Sequence, residues 1–191
     1  INPHWVADMD FKAPQAVIDS LQRRVEHGVY GYAMASEEHY DVIRAYLKDS
    51  YDWDVSAESI VWLPGLVCGF NAACRAVAAE HDRVMTLTPI YPPFLKAPRN
   101  FKQELCKVPM IDTGSSWEID FAAVEEEFKQ GVSLFLMCNP HNPVGRVYTR
   151  DELQKLTDLC VQYDVTVSSD EIHCDLILGD DQKHIPTATL S

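Results

Sequence analysis

Two polar segments of the sequence contain side chains that could bind a small ligand. Asp170 follows the apolar segment VTVSS, where a carboxylate is poorly hydrated and needs a cationic partner or several hydrogen-bond donors. Its neighbour Glu171 competes for that role, and either carboxylate could instead cap the segment that follows. Asn142 lies between two prolines in NPHNPVG, a setting that would hold its side-chain amide against a fixed hydrogen-bond partner. Taken alone, that motif is more typical of a turn.

Two further segments offer backbone donors and an aromatic ring. Gly65, Leu66 and Val67 open a predicted helix directly after a predicted strand, so that free N–H groups and the helix dipole could bind a phosphate. A Pro–Gly turn between a strand and a helix is, however, also common without any such function. Tyr91 lies among prolines in TPIYPPF, a rigid setting for a ring that either stacks on a planar ligand or packs at the surface.

Strands and helices are predicted to alternate around these segments. The predicted strands are SIVWL, RVMTLT, QELCKVP, VSLFLMCN and DVTVSSDE. The predicted helices follow Pro14, cover residues 36–51, follow Gly65, follow Asp120, and follow a capping box formed by Thr149 and Glu152. The unbroken apolar run in VSLFLMCN is typical of a parallel strand that is covered on both faces.

This alternation predicts the α/β fold class, with a mainly parallel sheet between two layers of helices (α/β/α). Ligands bind beyond the carboxyl ends of the strands in such sheets. All four segments follow predicted strands, so we expect them to meet at one edge of the sheet.

Composition excludes several classes of function. The 191 residues carry a net charge of −13 and no basic stripe, which argues against a nucleic-acid or anionic-membrane partner. No apolar run approaches the roughly 20 residues that cross a bilayer. The six cysteines form no CxxC motif, which indicates reduced core residues and argues against a zinc site. We therefore expect a cytoplasmic protein without a metal.

The order of the segments resembles the large domain of fold-type I pyridoxal-phosphate (PLP) enzymes, the aspartate aminotransferase superfamily. The resemblance covers nearly the whole chain and rests on PG at a helix start, PIYPPF, NPHNPVG and SDEIH. Within that superfamily, WVADMDF, HGVYGY, NPHNPVGRVY and SDEIHCDL are most similar to cystathionine β-lyases of the MalY/PatB type, which are C–S lyases.

The resemblance implies a role for each candidate residue. Asn142 is expected to hydrogen-bond the phenolic O3′ of PLP, and Asp170 to keep the pyridine nitrogen protonated. Tyr91 is expected to stack on the ring. The backbone of Leu66 and Val67, which follow Gly65, is expected to hold the phosphate.

The resemblance also implies features outside this pocket. Tyr32, in YGY, corresponds to a tyrosine that reaches the phosphate of a neighbouring subunit, which implies a homodimer. His173 stands where many aminotransferases carry tyrosine, which favours a lyase. The Schiff-base lysine is expected beyond Ser191, because Lys183 follows the aspartate too closely. No catalytic residue is therefore expected within the chain.

These implications predict a partial PLP-binding large domain over residues 36–191, incomplete at its C-terminus. Residues 1–35 would contribute to the active site and the dimer interface. The expected function is a PLP-dependent C–S β-lyase that releases thiol, pyruvate and ammonia from cystathionine or cysteine-like amino acids, with this chain as an inactive part of it. The alternatives are an aminotransferase of class I/II and, from another class, a non-catalytic binding or regulatory module.

Overall fold

The computed structural model describes residues 7–190. The first two residues of the WVADMDF motif and the lysine expected beyond Ser191 therefore lie outside the described residues. The chain divides into two compact units, Ile1–His39 and Tyr40–Ser191, so the division falls shortly after the predicted boundary at residue 35. No helix in the described part is long and apolar enough to cross a membrane.

From α3 onward the helices alternate with the strands of the main sheet in chain order, as the sequence predicts, whereas three helices precede the first strand. The helices are α1 (Gln15–His27), α2 (Glu37–Tyr51), α3 (Leu66–Val77), α4 (Pro92–Asn100), α5 (Phe121–Lys129) and α6 (Arg150–Gln162). The strands are β1 (Arg83–Thr88), β2 (Glu104–Pro109), β3 (Ile111–Asp112), β4 (Trp117–Glu118), β5 (Val132–Cys138) and β6 (Thr166–Asp170). Short 3₁₀ turns lie at Ala57–Ser59 and Thr187–Leu190.

The second unit is built on a four-stranded parallel sheet in the order β2–β1–β5–β6. Buried residues of α3 and α4, including Phe70 and Phe94, pack on one face against Leu134 and Leu136 of β5. Buried residues of α5 and α6 pack on the other face against alternate β5 residues such as Phe135. This confirms the three-layer α/β fold and explains why β5 is apolar at every position except Ser133.

Local signals in the sequence set several helix ends. Gly28 ends α1 with a φ of 70°, a conformation that glycine adopts without a steric penalty. Asp120 begins α5 by accepting a hydrogen bond from the N–H of Ala123 at 3.0 Å. Thr149 and Glu152 form the predicted capping box at the start of α6.

Two predictions from the sequence were wrong or incomplete. The segment SIVWL forms no strand, and Val61, Trp62 and Leu63 are exposed, because no strand in the described part of the chain pairs with it. A strand needs a neighbour to bond its backbone, and apolar residues alone cannot supply one. The segment after Tyr91 forms α4, a helix that was not predicted because its prolines suggested a loop. Two of these prolines occupy the first turn, where proline is tolerated.

Candidate functional site

The ends of β5 and β6 bring two of the predicted segments together. Cys138, the last residue of β5, is in register with Asp170, the last residue of β6. The N–H of Asn139 donates to the carbonyl oxygen of Asp170 at 3.0 Å. The loop that carries Asn142 therefore starts directly beside Asp170, at the carboxyl edge of the sheet.

A direct hydrogen bond joins Tyr91 to the same loop. The N–H of Tyr91 donates to the carbonyl oxygen of Asn142 at 3.0 Å. Tyr91 follows β1, whose ladder partner on this side is β5. Tyr91, Asn142 and Asp170 thus lie along one edge of three neighbouring strands, as the sequence predicts.

Helix α3 is oriented so that its first turn faces this edge. The side-chain Nε2 of Gln103, just before β2, donates to the carbonyl oxygens of Cys74 at 2.8 Å and Ala78 at 2.7 Å. The end of α3 therefore lies at the amino edge of the sheet, and its start points the opposite way. Gly65 provides no side-chain cap, and Leu66 and Val67 are exposed. Their N–H groups have no acceptor within the helix, so they can bind an anion.

The electrostatics of Asp170 favour a cationic partner. Burial raises the pKa of its carboxyl group, and the N–H of Ile172, which donates to Asp170 Oδ1 at 3.2 Å, opposes that rise only in part. His173 also lowers the pKa of Asp170, and Glu171 raises it. A buried carboxylate whose ionised form is disfavoured binds a positively charged group well.

Glu171, the competing carboxylate, is already saturated by the chain itself. It accepts hydrogen bonds from His184 Nε2 at 2.8 Å, from the N–H and hydroxyl of Thr187 at 2.9 Å each, and from Ser169 Oγ at 2.8 Å. Burial by itself would raise the pKa of Glu171, but these donors outweigh it, and the pKa is lowered. Glu171 therefore fastens the segment after β6, and Asp170 remains available to a ligand.

The last two predicted residues are His173, which is close enough to Asp170 to lower its pKa, and Tyr32. His173 lies in the turn after β6, where its carbonyl oxygen accepts from the N–H of Leu176 at 2.9 Å. Tyr32 belongs to the unit Ile1–His39, and its side chain is fully exposed. Its predicted contact with a phosphate of another subunit stays a prediction.

Sequence reasoning missed a buried pair behind the Asn142 loop. His141 and Tyr148 are each 1% exposed, and the hydroxyl of Tyr148 lies 2.8 Å from His141 Nδ1. His141 stands inside NPHNPVG, so its position was visible. Its burial was not, because a histidine between two prolines gives no periodic signal.

One large groove of the structure lies away from these residues. It has a volume of about 1020 Å³ and runs between α6, β6 and residues 187–190. Glu171 and Thr187 line it, whereas Asp170, Asn142 and Tyr91 do not. Groove size therefore does not identify the chemical site here, and the convergence of polar groups at the strand ends does. No group of three metal-binding side chains occurs among residues 7–190.

Together, these groups suit one kind of ligand. An uncapped helix start attracts an anion, a proline-flanked ring offers a flat face, and Asn142 offers an amide. Asp170 offers a negative charge without a cationic partner among its described hydrogen bonds. A planar, phosphorylated molecule with a basic ring nitrogen would satisfy all of them.

Comparison with known proteins gives consistent matches over the whole described chain. The profile of the family "aminotransferase class I and II" matches residues 8–190. The chain is 38% identical to cystathionine beta-lyase PatB of Bacillus subtilis (strain 168) over 190 residues, which is 99% of this chain and 49% of that protein. It is 30% identical to the protein MalY of Escherichia coli (strain K12), again over 99% of this chain and 49% of that protein.

A solved structure shows the same fold. The PLP-bound C-S lyase from Staphylococcus hominis superposes with a TM-score of 0.92 at 34% identity, covering 97% of this chain and 48% of that one. The chain spans about half the length of the curated relatives it matches.

Proposed function

The chain belongs to the aminotransferase class I and II family, and from this membership we propose that the whole protein is a PLP-dependent carbon–sulfur β-lyase. Its substrate would be cystathionine or a similar cysteine-derived amino acid, cleaved to a thiol, pyruvate and ammonia. The similarity to a named cystathionine β-lyase over 99% of the chain is the observation that carries the proposal.

The residues at the strand ends fit the cofactor. When bound, PLP supplies a ring that accepts electrons from the substrate's Cα–H bond as it breaks. Asp170 would hold the proton on the pyridine nitrogen. Its raised pKa supports this role, because a carboxylate that burial disfavours gains most from an adjacent cation.

The remaining groups would bind and orient the cofactor. Asn142 would donate its amide N–H to the phenolic O3′, and Tyr91 would cover one face of the ring. The first N–H groups of α3, at Leu66 and Val67, would bind the phosphate, where the dipole of the helix favours negative charge. The backbone hydrogen bond from Tyr91 to Asn142 supports a fixed spacing between the Tyr91 ring and the Asn142 amide. That spacing lowers the entropy cost of ordering the site.

We further propose a cytoplasmic homodimer. The six free cysteines, four of them buried, support a reducing compartment, and Tyr32 would reach the phosphate site of the second subunit. Sedimentation of the full-length protein tests the assembly, since a fully active monomer would contradict it.

A second reaction, transamination, uses the same cofactor and belongs to the same family by name. His173 favours the lyase, because many aminotransferases carry tyrosine at this position of the motif. The two reactions differ in stoichiometry, since β-elimination needs no second substrate and transamination needs a keto acid.

The test supplies the full-length protein with PLP and cystathionine and measures pyruvate and free thiol. We expect both products in equal amounts without any keto acid. Turnover only after a keto acid is added would identify an aminotransferase instead. Absence of both turnover and PLP binding would leave the non-catalytic binding module as the better interpretation.

A further inference from the structure

We propose that His141 is a positioning residue, which sets the distance between the Tyr91 segment and the Asn142 loop through a buried hydrogen-bond relay to Tyr148. The geometry of the relay stands on the structure alone. Its value for cofactor binding rests on the proposed function.

The relay has a defined direction. His141 Nε2 lies 2.8 Å from the carbonyl oxygen of Pro89, and a carbonyl can only accept, so Nε2 carries the hydrogen. Burial lowers the pKa of His141, which favours the neutral ring, and with the hydrogen on Nε2 the neutral ring has Nδ1 as an acceptor. The hydroxyl of Tyr148, 2.8 Å from Nδ1, must then donate to it. Both ring nitrogens are therefore used, each in one role.

The relay is anchored at both of its ends. Tyr148 belongs to the buried cluster that contains Leu153 and Met110, and its hydroxyl lies 3.8 Å from Met110 Sδ. The backbone of His141 is fixed as well, because its N–H donates to the carbonyl oxygen of Arg146 at 2.7 Å. A ring held from both sides cannot follow a shift of Pro89.

Prolines make this contact more important than an ordinary loop contact. Within TPIYPPF, prolines cannot donate, so the segment has few N–H groups with which to fasten itself. The N–H of Tyr91 donates to Asn142, and the carbonyl of Pro89 accepts from His141. These two bonds run in opposite directions between the same two segments, which fixes their spacing and their tilt.

Two substitutions separate the roles of the two ring nitrogens. In His141→Gln the longer amide can still donate to Pro89 in place of Nε2. In His141→Asn the shorter amide cannot reach Pro89, although its oxygen can still accept from Tyr148. If His141 only filled space, both variants should lose the fixed spacing between the two segments equally. The relay instead predicts that His141→Gln retains the spacing that His141→Asn loses.

The readout is amide hydrogen exchange of Tyr91 in the full-length protein, with and without PLP. An unsatisfied buried carbonyl weakens the local structure, so we expect Tyr91 protection to fall roughly ten- to hundredfold in His141→Asn and much less in His141→Gln. The affinity for PLP should fall in the same order. The losses of Tyr91 protection and PLP affinity in Tyr148→Phe should be intermediate between those of His141→Asn and His141→Gln, since Tyr148→Phe leaves the hydrogen bond from His141 to Pro89 in place.

Val124→Ala is the matched control. Val124 is fully buried in α5, in the same cluster as Tyr148, and its side chain has no polar atom, so its truncation lowers global stability while every hydrogen bond of the relay stays in place. It should leave Tyr91 exchange by local opening unchanged. Unchanged Tyr91 protection in His141→Asn, or equal losses in the Asn and Gln variants, would overturn the proposal. Because hydrogen exchange needs no cofactor, a protein that fails to bind PLP would refute the proposed function and still decide the role of His141.

Discussion

Helices α3 and α6 pack on opposite faces of the sheet, and they begin in opposite ways. At α6, Thr149 Oγ1 accepts from the N–H of Glu152 at 3.3 Å, and the Glu152 carboxylate accepts from the N–H of Thr149 at 2.9 Å and from Arg146 at 2.6 Å. At α3, Gly65 offers no side chain, and the first turn is exposed. Side chains therefore cap the start of α6, whereas the start of α3 has no side-chain cap and is accessible to a ligand.

The same contrast separates two adjacent residues at the end of β6. Glu171 accepts four hydrogen bonds from within the chain, and its pKa is lowered despite burial. The Asp170 carboxylate accepts one described hydrogen bond, from the N–H of Ile172, and burial raises its pKa. Polar groups that hydrogen-bond each other within the chain stabilise the fold. Polar groups at the strand ends that lack such partners are available to bind a cofactor.

The strongest test of this contrast is Asp170→Ala in the full-length protein. We expect β-elimination to fall by roughly a hundredfold or more, because a neutral pyridine nitrogen stabilises the developing negative charge poorly. The free energy of unfolding should not fall, since the ionised carboxylate is disfavoured by burial. Pyruvate release and urea unfolding measure the two effects.

Asp181→Ala, which removes an exposed carboxylate, is the control and should leave both measurements unchanged. Near-normal turnover in Asp170→Ala would show that another group protonates the ring.

Glu171→Ala should have the opposite profile. It leaves His184 and Thr187 without their acceptor in a largely buried setting, so we expect a loss of roughly 3 kcal/mol of unfolding free energy. Urea unfolding measures the loss. Glu171→Gln keeps an oxygen acceptor for Thr187 and should lose less.

The contributions of Glu171 and Asp170 to stability should change with pH in opposite directions. The folded-state pKa of Glu171 is lowered, so its contribution is complete above the unfolded value of about 4.5 and disappears as the pH falls through the folded value. The difference between wild type and Glu171→Ala should therefore narrow below about pH 4. Asp170 has a raised pKa, so acidification relieves its cost instead. A Glu171 effect that grows on acidification would contradict this assignment.

Leu66→Pro tests the open helix start with the smallest expected effect. Proline is tolerated at the first helical position but removes its N–H, so the helix should persist while a phosphate donor is lost. We expect the affinity for PLP to fall roughly tenfold relative to Leu66→Ala, which keeps the N–H. Titration of the full-length apoprotein with PLP measures it.

Thr149→Ala is the counterpart at the closed helix start. It should cost about 1 kcal/mol of stability and leave PLP affinity unchanged. Equal PLP affinities for Leu66→Pro and Leu66→Ala would show that the start of α3 does not bind the phosphate through this group.

Features that depend on neighbouring residues could be predicted from the sequence. The end of α1 at Gly28, the cap at Asp120 and the capping box of α6 all follow from backbone groups within four residues of each other. The unbroken apolar run of β5 predicted burial on both faces, and the motif order predicted that Tyr91, Asn142 and Asp170 share one edge.

Features that depend on distant partners were decided only by the tertiary structure. SIVWL has strand-forming residues, but it finds no strand to pair with in the described chain. Asp170 and Glu171 are equivalent carboxylates in the sequence. They differ because residues 184–187 fold back onto one of them and not onto the other. The proposed role of His141 depends on its contact with Pro89, which lies far away in the chain. The burial and hydrogen-bond partners of a polar group depend on which distant segments pack around it, and a local sequence pattern does not contain that information.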